Sequence, residues 1–590
     1  MDIGGKLIKL RCEMRNEGID TYIVTKSDPH QSEYAEPHWD SVKFISGFTG
    51  SAGVVVVTAN AAGLWTDGRY YLQAESELSD SEFLLHRASD KNVKNFIDHA
   101  AEITGRSGLI GFDGRTVSVS QYKSLLEKTA GKNISIATGV DLIGRIWEDR
   151  VPPGASPVFV HEPRFAGASS ESKLNQVRKQ MAERGADAYL LSSLDDVAWL
   201  TNLRGRDLAY SCTFPAYMII EADSAALFVD PIKLNGVALC GAFTIKDYGD
   251  IDAYIKNIPS DKKIALCPKK TSCGLSNAAA GHEIIEIEED FTALPKAKKN
   301  ETEIINLRNA NVRDGVSFTR FIKWIKETRG ATEYEAGLKL RSLRSQNENY
   351  IGESFNPIVA YMGNAAVVHY GADEKTSAVI GPGILLVDSG GQYLDGTTDM
   401  TRTVCKDEPS AEFKKHYTLV LKGHIALASA VFPRGVTGHR LDALARAPLW
   451  QNGLDYDHGT GHGIGCCLGV HEGPQSIAAK PNDTALEEGM LVSNEPGVYF
   501  AGRYGIRIEN TLLVKKHPMA ESENYLCFET VSFAPFDPLA LDHDLLSGPE
   551  LRWLGHYNER VYETLRPFLS DEESNWLFGE LNKFNLPGSQ

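Results

Sequence analysis

The chain has 590 residues, which is too long for one hydrophobic core and enough for about three domains. Its hydrophobic fraction of 42% and charged fraction of 24% are ordinary for a globular protein. The formal net charge of -17 argues against nucleic acid or an anionic membrane as the main partner, so neither is expected.

The cysteines and the apolar runs bear on the cellular compartment. Nine cysteines are scattered along the chain without a CxxC pair, which suits a reducing environment. The first residues contain no apolar signal core, and no apolar run approaches the length of a membrane span. These features predict a cytoplasmic protein.

Residues 1–150 alternate helix and strand patterns and predict an N-terminal α/β domain. A charged helix over residues 6–17 ends at Gly18 and leads into a strand over residues 21–24. Beyond this domain, residues 151–170 are rich in proline, glycine and serine, which is typical of a linker.

Residues 151–298 predict a middle α/β domain that repeats the first. Residues 14–24 match residues 181–191 in register. Residues 62–67 are matched in the same order by a second stretch, at residues 225–230. Two matches in the same order indicate a duplicated domain rather than a solenoid, which needs more copies at a shorter period.

Residues 299–590 predict a third domain, whose start is marked by a basic cluster at residues 296–300. Apolar residues at steps of three and four predict a helix over residues 303–327. Residues 355–371 predict a strand, a turn and a second strand, and helical patterns beyond residue 530 predict a C-terminal tail.

Carboxylates recur in this third domain where strands are predicted. Asp388 follows an apolar run over residues 384–387, and the chain returns past Asp399, which predicts a hairpin with the two acids on facing strands. Glu495 and Glu509 interrupt apolar strand patterns. Each acid alone could be a turn or strand residue, but a buried carboxylate usually pairs, shifts its pKa or binds metal.

His462 lies among four glycines at alternate positions from 459 to 465. The spacing fits neither a phosphate-binding loop nor a dinucleotide-binding loop, so we expect the glycines to let the backbone pass close to a metal and a substrate. Together with the four acids, one imidazole gives an oxygen-rich set suited to a pair of divalent cations.

Other candidate residues carry weaker signals. Three histidines, His369, His458 and His471, have no metal-ligand spacing among themselves, and each suits a structural role as well as a functional one. The adjacent thiols of Cys466 and Cys467 lack a defined base, which argues against a catalytic cysteine and leaves redox sensitivity open. The HExxH and GxSxG motifs do not occur.

In their order and spacing, the four acids and His462 resemble the five metal ligands of the pita-bread metallopeptidases, which include methionine aminopeptidase, prolidase and aminopeptidase P. Residues 458–465 and 470–474 resemble the proline-directed branch. The resemblance to the cytosolic three-domain Xaa-Pro aminopeptidases extends over essentially the whole chain and includes residues 44–53, 65–70, 369–370 and 529–536.

This resemblance implies two duplicated α/β N-terminal domains followed by a pita-bread α+β catalytic domain. It implies a metalloaminopeptidase that releases the N-terminal residue from peptides with proline second, through a hydroxide between two divalent ions that attacks the Xaa-Pro bond. Family precedent favours Mn(II), with Co(II) or Zn(II) as substitutes, and the family is commonly homodimeric.

The resemblance also implies a role for each site residue. Asp388 would bind one ion, Asp399 and Glu509 would bridge the two, and His462 and Glu495 would bind the other. These five residues are therefore the expected metal ligands.

The catalytic residues implied by the resemblance are His471, Glu495 and His369. His471 would stabilise the oxyanion together with one ion, and Glu495 would shuttle the proton. His369, His458 and His471 would line the substrate site.

Two alternatives stay open. A prolidase cleaves only Xaa-Pro dipeptides, and its chain usually lacks the middle repeat and the long tail. A catalytically inactive relative would use the fold to bind protein partners such as histone chaperones. That alternative predicts lost ligands, whereas all five are present in this chain.

Overall fold

The structure is a computed structural model that describes residues 2–239, 241–518 and 524–584. Residue contacts divide the chain into two compact units, the first comprising residues 1–162 and 168–293 and the second residues 163–167 and 294–590. Among the described residues, no helix is both long and apolar enough to cross a bilayer.

The first part of the N-terminal unit is a six-stranded sheet flanked by helices. Its strands are β1 Thr21–Thr25, β2 Val54–Thr58, β3 Ala62–Thr66, β4 Phe83–Arg87, β5 Ser107–Phe112 and β6 Asn133–Ala137. Its helices are α1 Ile3–Asn16, α2 Ser41–Ser46, α3 Tyr71–Glu77, α4 Phe96–Ile103, α5 Val119–Thr129 and α6 Leu142–Ile146. The strand order is β4-β3-β2-β1-β5-β6.

Residues 151–300 contain a second six-stranded sheet. The strands of this stretch are β7 Phe159–Val160, β8 Ala188–Leu191, β9 Leu203–Arg204, β10 Ala216–Glu221, β11 Ala225–Val229, β12 Thr244–Lys246, β13 Lys263–Leu266 and β14 Glu283–Glu286. Its helices are α7 Pro163–Ala166, α8 Ser170–Arg184, α9 Leu194–Thr201, α10 Ile251–Asn257, α11 Cys273–Ala278 and α12 Ala293–Ala297.

The two six-stranded sheets have the same topology, which confirms the predicted duplication. The second sheet has the order β12-β11-β10-β8-β13-β14, so its strands follow the chain in the same sequence as those of the first. In both sheets the first strand pairs antiparallel with the second and parallel with the fifth. Gly18 and Gly185 end the matching helices at positive φ, a conformation that glycine adopts without steric cost.

The second unit, called here the catalytic unit after the function expected for it, combines long helices with several small antiparallel sheets. Its strands are β15 Tyr350–Glu353, β16 Ile358–Tyr361, β17 Ile384–Ser389, β18 Gly391–Tyr393, β19 Gly396–Thr397, β20 Met400–Cys405, β21 Val431–Pro433, β22 Gly461–Gly463, β23 Glu472–Ile477, β24 Leu491–Asn494, β25 Gly497–Phe500, β26 Tyr504–Arg507, β27 Asn510–Lys516 and β28 Tyr525–Thr530. Its main helices are α13 Glu301–Glu327, α14 Glu333–Arg344, α15 Ala411–Ala428, α16 Gly438–Trp450, α17 Gly548–Leu565 and α18 Asp571–Asn582. The α+β class predicted for this region is confirmed.

Local sequence explains where the elements of the catalytic unit begin. A capping box between Asn300 and Glu303 starts α13 two residues before the predicted position. The strand–turn–strand prediction for residues 355–371 is wrong in its second half. After β16 the chain forms a 3-10 helix, Met362–Ala366, and then a turn that contains His369.

The core of the catalytic unit fixes the strand that carries Asp388. All six residues of β17 are buried. Leu385 and Val387 pack in one hydrophobic cluster with Phe318 and Phe321 of α13, while Leu386 packs in another. With apolar packing on both faces, β17 delivers Asp388 into the interior, where only 7% of it is exposed.

Candidate metal centre

A pair of antiparallel strands places the two aspartates. β17 pairs with β20, and Asp388 lies opposite Thr401 in this register. Asp399 directly precedes β20, so it lies two residues from the partner of Asp388. The predicted antiparallel strand pair is present, but Asp399 lies one residue before its strand rather than on it, and the small β18–β19 hairpin is inserted between the two acids.

A second strand pair places the two glutamates. β24 pairs with β27, and Asn494 lies opposite Asn510. Glu495 follows the first asparagine and Glu509 precedes the second, so both acids lie at the same end of this antiparallel strand pair. The backbone N–H of Glu509 donates to the carbonyl of Thr401 at 3.1 Å, which joins this sheet to the strand beside Asp388.

The glycines around His462 allow a close backbone contact. A Cβ atom at Gly461 would lie 2.0 Å from the carbonyl oxygen of Ser493, so a larger residue would separate the two segments. The backbone N–H of His462 donates to the Ser493 hydroxyl at 2.9 Å, and that hydroxyl donates to Glu495 Oε1 at 3.2 Å. Ser493 thus ties the histidine to one of the acids.

These elements bring the five predicted ligands together in one cluster, called here the carboxylate site. His462 Nε2 lies 3.4 Å from Asp399 Oδ2 and 3.4 Å from Glu495 Oε1. Asp399, His462 and Glu509 each offer one ligand atom, and these atoms lie within 4.8 Å of one another. Asp388 lies near enough to Asp399 that this neighbouring negative charge adds to burial in raising the pKa of Asp388.

The carboxylate site fits the donor set of a divalent cation. Asp388 Oδ1 and Glu509 Oε1 are buried without a hydrogen-bond partner among the described residues. Burying a carboxylate oxygen without a partner costs free energy, and binding a hard cation offsets this cost. The chemistry of these residues therefore matches the predicted metal centre.

Burial and mutual repulsion shape the protonation of the carboxylate site. Burial raises the pKa of Asp388 and of Glu495, and it raises the pKa of Glu509 well above its usual value, because neighbouring acids add to the cost of each charge. Burial opposes the charged form of His462, yet Asp399 and Glu495 raise its pKa to about 9. The acids of the carboxylate site therefore attract positive charge.

Arg507 is a site residue that the sequence analysis missed. Its guanidinium donates to Asp388 Oδ2 at 3.1 Å and 2.6 Å, while a further N–H donates to the Tyr499 hydroxyl at 2.7 Å. Arg507 precedes Glu509 by two residues, so strand alternation could have indicated that both side chains lie on one face. Thr401 was also missed, and its hydroxyl donates to Glu509 Oε2 at 2.8 Å.

His458 is linked to the carboxylate site through Tyr499. Its Nε2 lies 2.8 Å from the Tyr499 hydroxyl, and its Nδ1 lies 2.8 Å from the carbonyl oxygen of Gly459. Because a carbonyl only accepts, Nδ1 carries the proton and Nε2 accepts from Tyr499. Tyr499 in turn accepts from Arg507, so His458 belongs to a chain that ends at Asp388.

His471 and His369 lie at different distances from the ligands. The exposed ring of His471 stands edge-on to that of His462, with centroids 4.4 Å apart and an interplanar angle of 85°. His369 is partly buried in its turn. The carbonyl of the preceding Val368 accepts from Arg507 at 3.4 Å, which puts His369 one residue from the Arg507–Asp388 pair. The side chains of Cys466 and Cys467 are buried.

Four family models match the chain in succession. The Creatinase/Prolidase N-terminal domain matches twice, at residues 6–145 and at residues 149–303. Metallopeptidase family M24 matches residues 305–516, and the C-terminal region of peptidase M24 matches residues 524–584. The fold is thus that of an M24 metallopeptidase.

Two relatives of similar length show to which group of M24 metallopeptidases the chain belongs. Xaa-Pro aminopeptidase 1 of Dictyostelium discoideum is 36% identical over 607 residues, covering 98% of this chain and 96% of the relative. Aminopeptidase P1 of Arabidopsis thaliana is 37% identical over 627 residues, covering 95% of this chain and 96% of the relative. The chain belongs to the Xaa-Pro aminopeptidase family, and the prediction that it is a hydrolytic enzyme is confirmed.

A solved structure shares the whole architecture. The X-prolyl aminopeptidase of Caenorhabditis elegans matches with a TM-score of 0.94 at 32% identity, covering 98% of this chain and 99% of that chain. The nematode protein is described as a cytosolic enzyme with a di-nuclear active site. X-Pro aminopeptidase from Thermotoga maritima matches 61% of this chain with a TM-score of 0.51 at 26% identity.

Proposed function

We propose that this chain is a dinuclear metalloaminopeptidase that releases the N-terminal residue from peptides with proline in the second position. The observation that carries the proposal is the pair of buried, unpartnered carboxylate oxygens on Asp388 and Glu509. They lie beside other acids that repel them, an arrangement that cations stabilise. The names of the full-length relatives supply the class of substrate.

The five residues of the carboxylate site would hold two divalent cations per chain. One imidazole among hard carboxylates favours Mn(II), with Co(II) and Zn(II) as substitutes. When bound, such ions supply the Lewis acidity that activates water and polarises the scissile carbonyl. The assignment of one aspartate to the first ion, two bridging acids, and the histidine with the remaining glutamate to the second ion is part of this proposal.

The protein side chains would bind and orient the substrate and would transfer protons during the reaction. The Ser493 hydroxyl donates to Glu495 Oε1, and the other oxygen of this carboxylate would take a proton from the attacking water and give it to the proline nitrogen. His471, exposed beside His462, would donate to the developing oxyanion. His369 and His458 would line the substrate site.

The remaining parts of the proposal concern the oligomeric state, the cellular location and the domain boundaries. We propose a homodimer in the cytoplasm that acts on peptides, with domains at residues 1–150, 151–298 and 299–590. The description of the nematode relative as cytosolic supports the location, and the homodimer rests on the family resemblance.

A comparison of substrates tests the proposed function. Arg-Pro-Pro, a longer Xaa-Pro peptide, an Xaa-Pro dipeptide and Xaa-Ala-Ala are incubated with the Mn(II)-loaded chain, and released amino acids are quantified. We expect efficient release of the first residue from the tripeptide and the longer peptide, and little release from Xaa-Ala-Ala.

The same experiment separates the alternatives. Cleavage of the dipeptide alone would make the chain a prolidase, since a prolidase recognises the carboxylate of its dipeptide. Equal cleavage of Xaa-Ala-Ala would remove the requirement for proline. No cleavage of any peptide by a metal-loaded chain would favour a role in binding partners.

A further inference from the structure

The segment that leads into the catalytic unit, residues 294–300, is called here the connecting segment. Its backbone runs beside the start of β24: the N–H of Lys299 donates to the carbonyl of Gly489 at 3.0 Å, and Lys298 forms a β-bridge with Met490. β24 leads directly to Glu495. The basic cluster noticed in the sequence therefore lies against a strand of the carboxylate site.

Two lysines of the connecting segment are buried. Lys296 and Lys299 are 6% and 5% exposed, which is unusual for lysine. Lys299 Nζ donates to Glu472 Oε1 and, at 2.9 Å, to the carbonyl of Lys296. Lys296 Nζ lies 3.5 Å from Glu472 Oε2, an ion pair that is longer than a hydrogen bond. One buried glutamate thus holds two ammonium groups.

Glu472 lies next to two residues of the proposed active site. It directly follows His471, and in the β22–β23 pair it lies opposite Gly463. A Cβ atom at Gly463 would come within 2.2 Å of the Glu472 carbonyl oxygen, so the two backbones are in direct contact. The carbonyl of Gly463 accepts from His462 Nδ1 at 2.9 Å. Glu472 therefore lies against the residue whose carbonyl contacts His462.

We propose that Lys296 and Lys299 act through Glu472 as positioning residues, holding His471 and His462 in the geometry that catalysis needs. The inference rests on the metallopeptidase function proposed above. An ion pair in the interior adds little net stability compared with apolar side chains, so its presence here suits a positional role. Removing the anionic partner would leave the buried ammonium group of Lys299 without its counter-ion and would displace the first residues of β23.

The test uses the full-length chain with the substitution Glu472→Gln, which keeps the shape and removes the charge. We expect kcat to fall by about tenfold to a hundredfold, the range found when groups that orient metal ligands are lost, with KM within about twofold. Mn(II) affinity, measured by calorimetry, should weaken by about tenfold or more because His462 loses its orientation.

A matched control exists on the same connecting segment. Lys298 Nζ pairs with Glu487 Oε2 at 2.6 Å, but both side chains are about two-fifths exposed, at 43% and 37%. Exposed pairs contribute little to stability. Glu487→Gln should therefore leave kcat, KM and Mn(II) affinity within about twofold of the original values.

A second variant guards against a failure of Glu472→Gln to fold. Lys296→Met removes the longer contact and leaves the Lys299–Glu472 pair in place, so we expect it to fold and to lower kcat and Mn(II) affinity by about threefold or more. Normal kcat and normal affinity in Lys296→Met and in any folded Glu472→Gln, with only a lower melting temperature, would overturn the inference and leave a structural ion pair. An unsubstituted chain that neither binds Mn(II) nor cleaves Xaa-Pro peptides would instead refute the proposed function.

Discussion

Two buried charged clusters lie side by side in the catalytic unit, and they differ in whether all of their carboxylate oxygens have hydrogen-bond partners. One, called here the Arg344 cluster, consists of Arg344, Asp314 and Glu353. Arg344 donates to both oxygens of Asp314 at 2.7 Å and 3.1 Å, and to Glu353 Oε2 at 3.2 Å. The remaining Glu353 oxygen accepts from the Tyr350 hydroxyl at 2.5 Å. Every carboxylate oxygen of this cluster has a protein partner.

The carboxylate site has more acids and fewer partners. Arg507 occupies one oxygen of Asp388, and the other has no hydrogen-bond partner among the described residues. The same is true of one oxygen of Glu509. The two clusters are adjacent in space, because Arg344 also donates to the carbonyl and hydroxyl of Ser389 at 3.1 Å, and Ser389 directly follows Asp388 in the chain.

This difference in hydrogen bonding indicates that the Arg344 cluster serves the fold and the carboxylate site serves the function. A buried acid whose oxygens are all satisfied stabilises a particular arrangement of strands, whereas a buried acid with a free oxygen needs a ligand. The Arg344 cluster holds the end of β17 in place, and the carboxylate site at that end is left with oxygens available to cations.

The largest expected effect is the loss of stability when a substitution breaks the Arg344 cluster. Arg344→Met would leave Asp314 and Glu353 buried without their cation, and breaking a buried pair in this way costs about 3–5 kcal/mol. Denaturant unfolding of the metal-free chain measures the loss. Glu509→Gln is the matched substitution in the carboxylate site and should cost little stability in the metal-free chain, since burial already disfavours its charge. Equal losses in the two variants would remove the distinction between the clusters.

A second expected effect is on activity alone. Glu495→Gln keeps the shape of the side chain but removes a metal-binding charge and the proton acceptor, so kcat should fall by at least about a hundredfold with an unchanged fold. Steady-state kinetics and circular dichroism measure the two quantities. Glu412→Gln, which removes an exposed partner of Arg503, is the control and should be unchanged. Full turnover with full metal occupancy would show that Glu495 has neither role.

A smaller effect is expected at the rim of the carboxylate site. His471→Ala removes a contact that strengthens in the transition state, so kcat should fall by about tenfold while KM stays within about twofold. His439→Ala provides the control, since this histidine contacts the carbonyl of Ala478 on a different segment. A change confined to KM would assign His471 to substrate binding.

Sequence alone predicted the duplicated sheets and the members of the carboxylate site because both leave local patterns. An acid after an apolar run, as at Asp388, and glycines around His462 are visible without a structure. The contacts of Arg507 with Asp388 and of Thr401 with Glu509 were missed because strand pairing, not spacing, brings these residues together. Ser493 lies two residues before Glu495, a spacing from which strand alternation could have indicated it. For the same reason, the buried role of Lys296 and Lys299 could not be predicted from a basic cluster that looked like a joint between domains.

The most direct test of the central claim is metal content measured together with activity. Elemental analysis of the purified full-length chain after loading with Mn(II) should find two divalent ions per chain, and a chelator should remove both ions and the cleavage of Arg-Pro-Pro. Adding Mn(II) back should restore both. A chain that cleaves Arg-Pro-Pro at full rate with no bound metal would contradict the account.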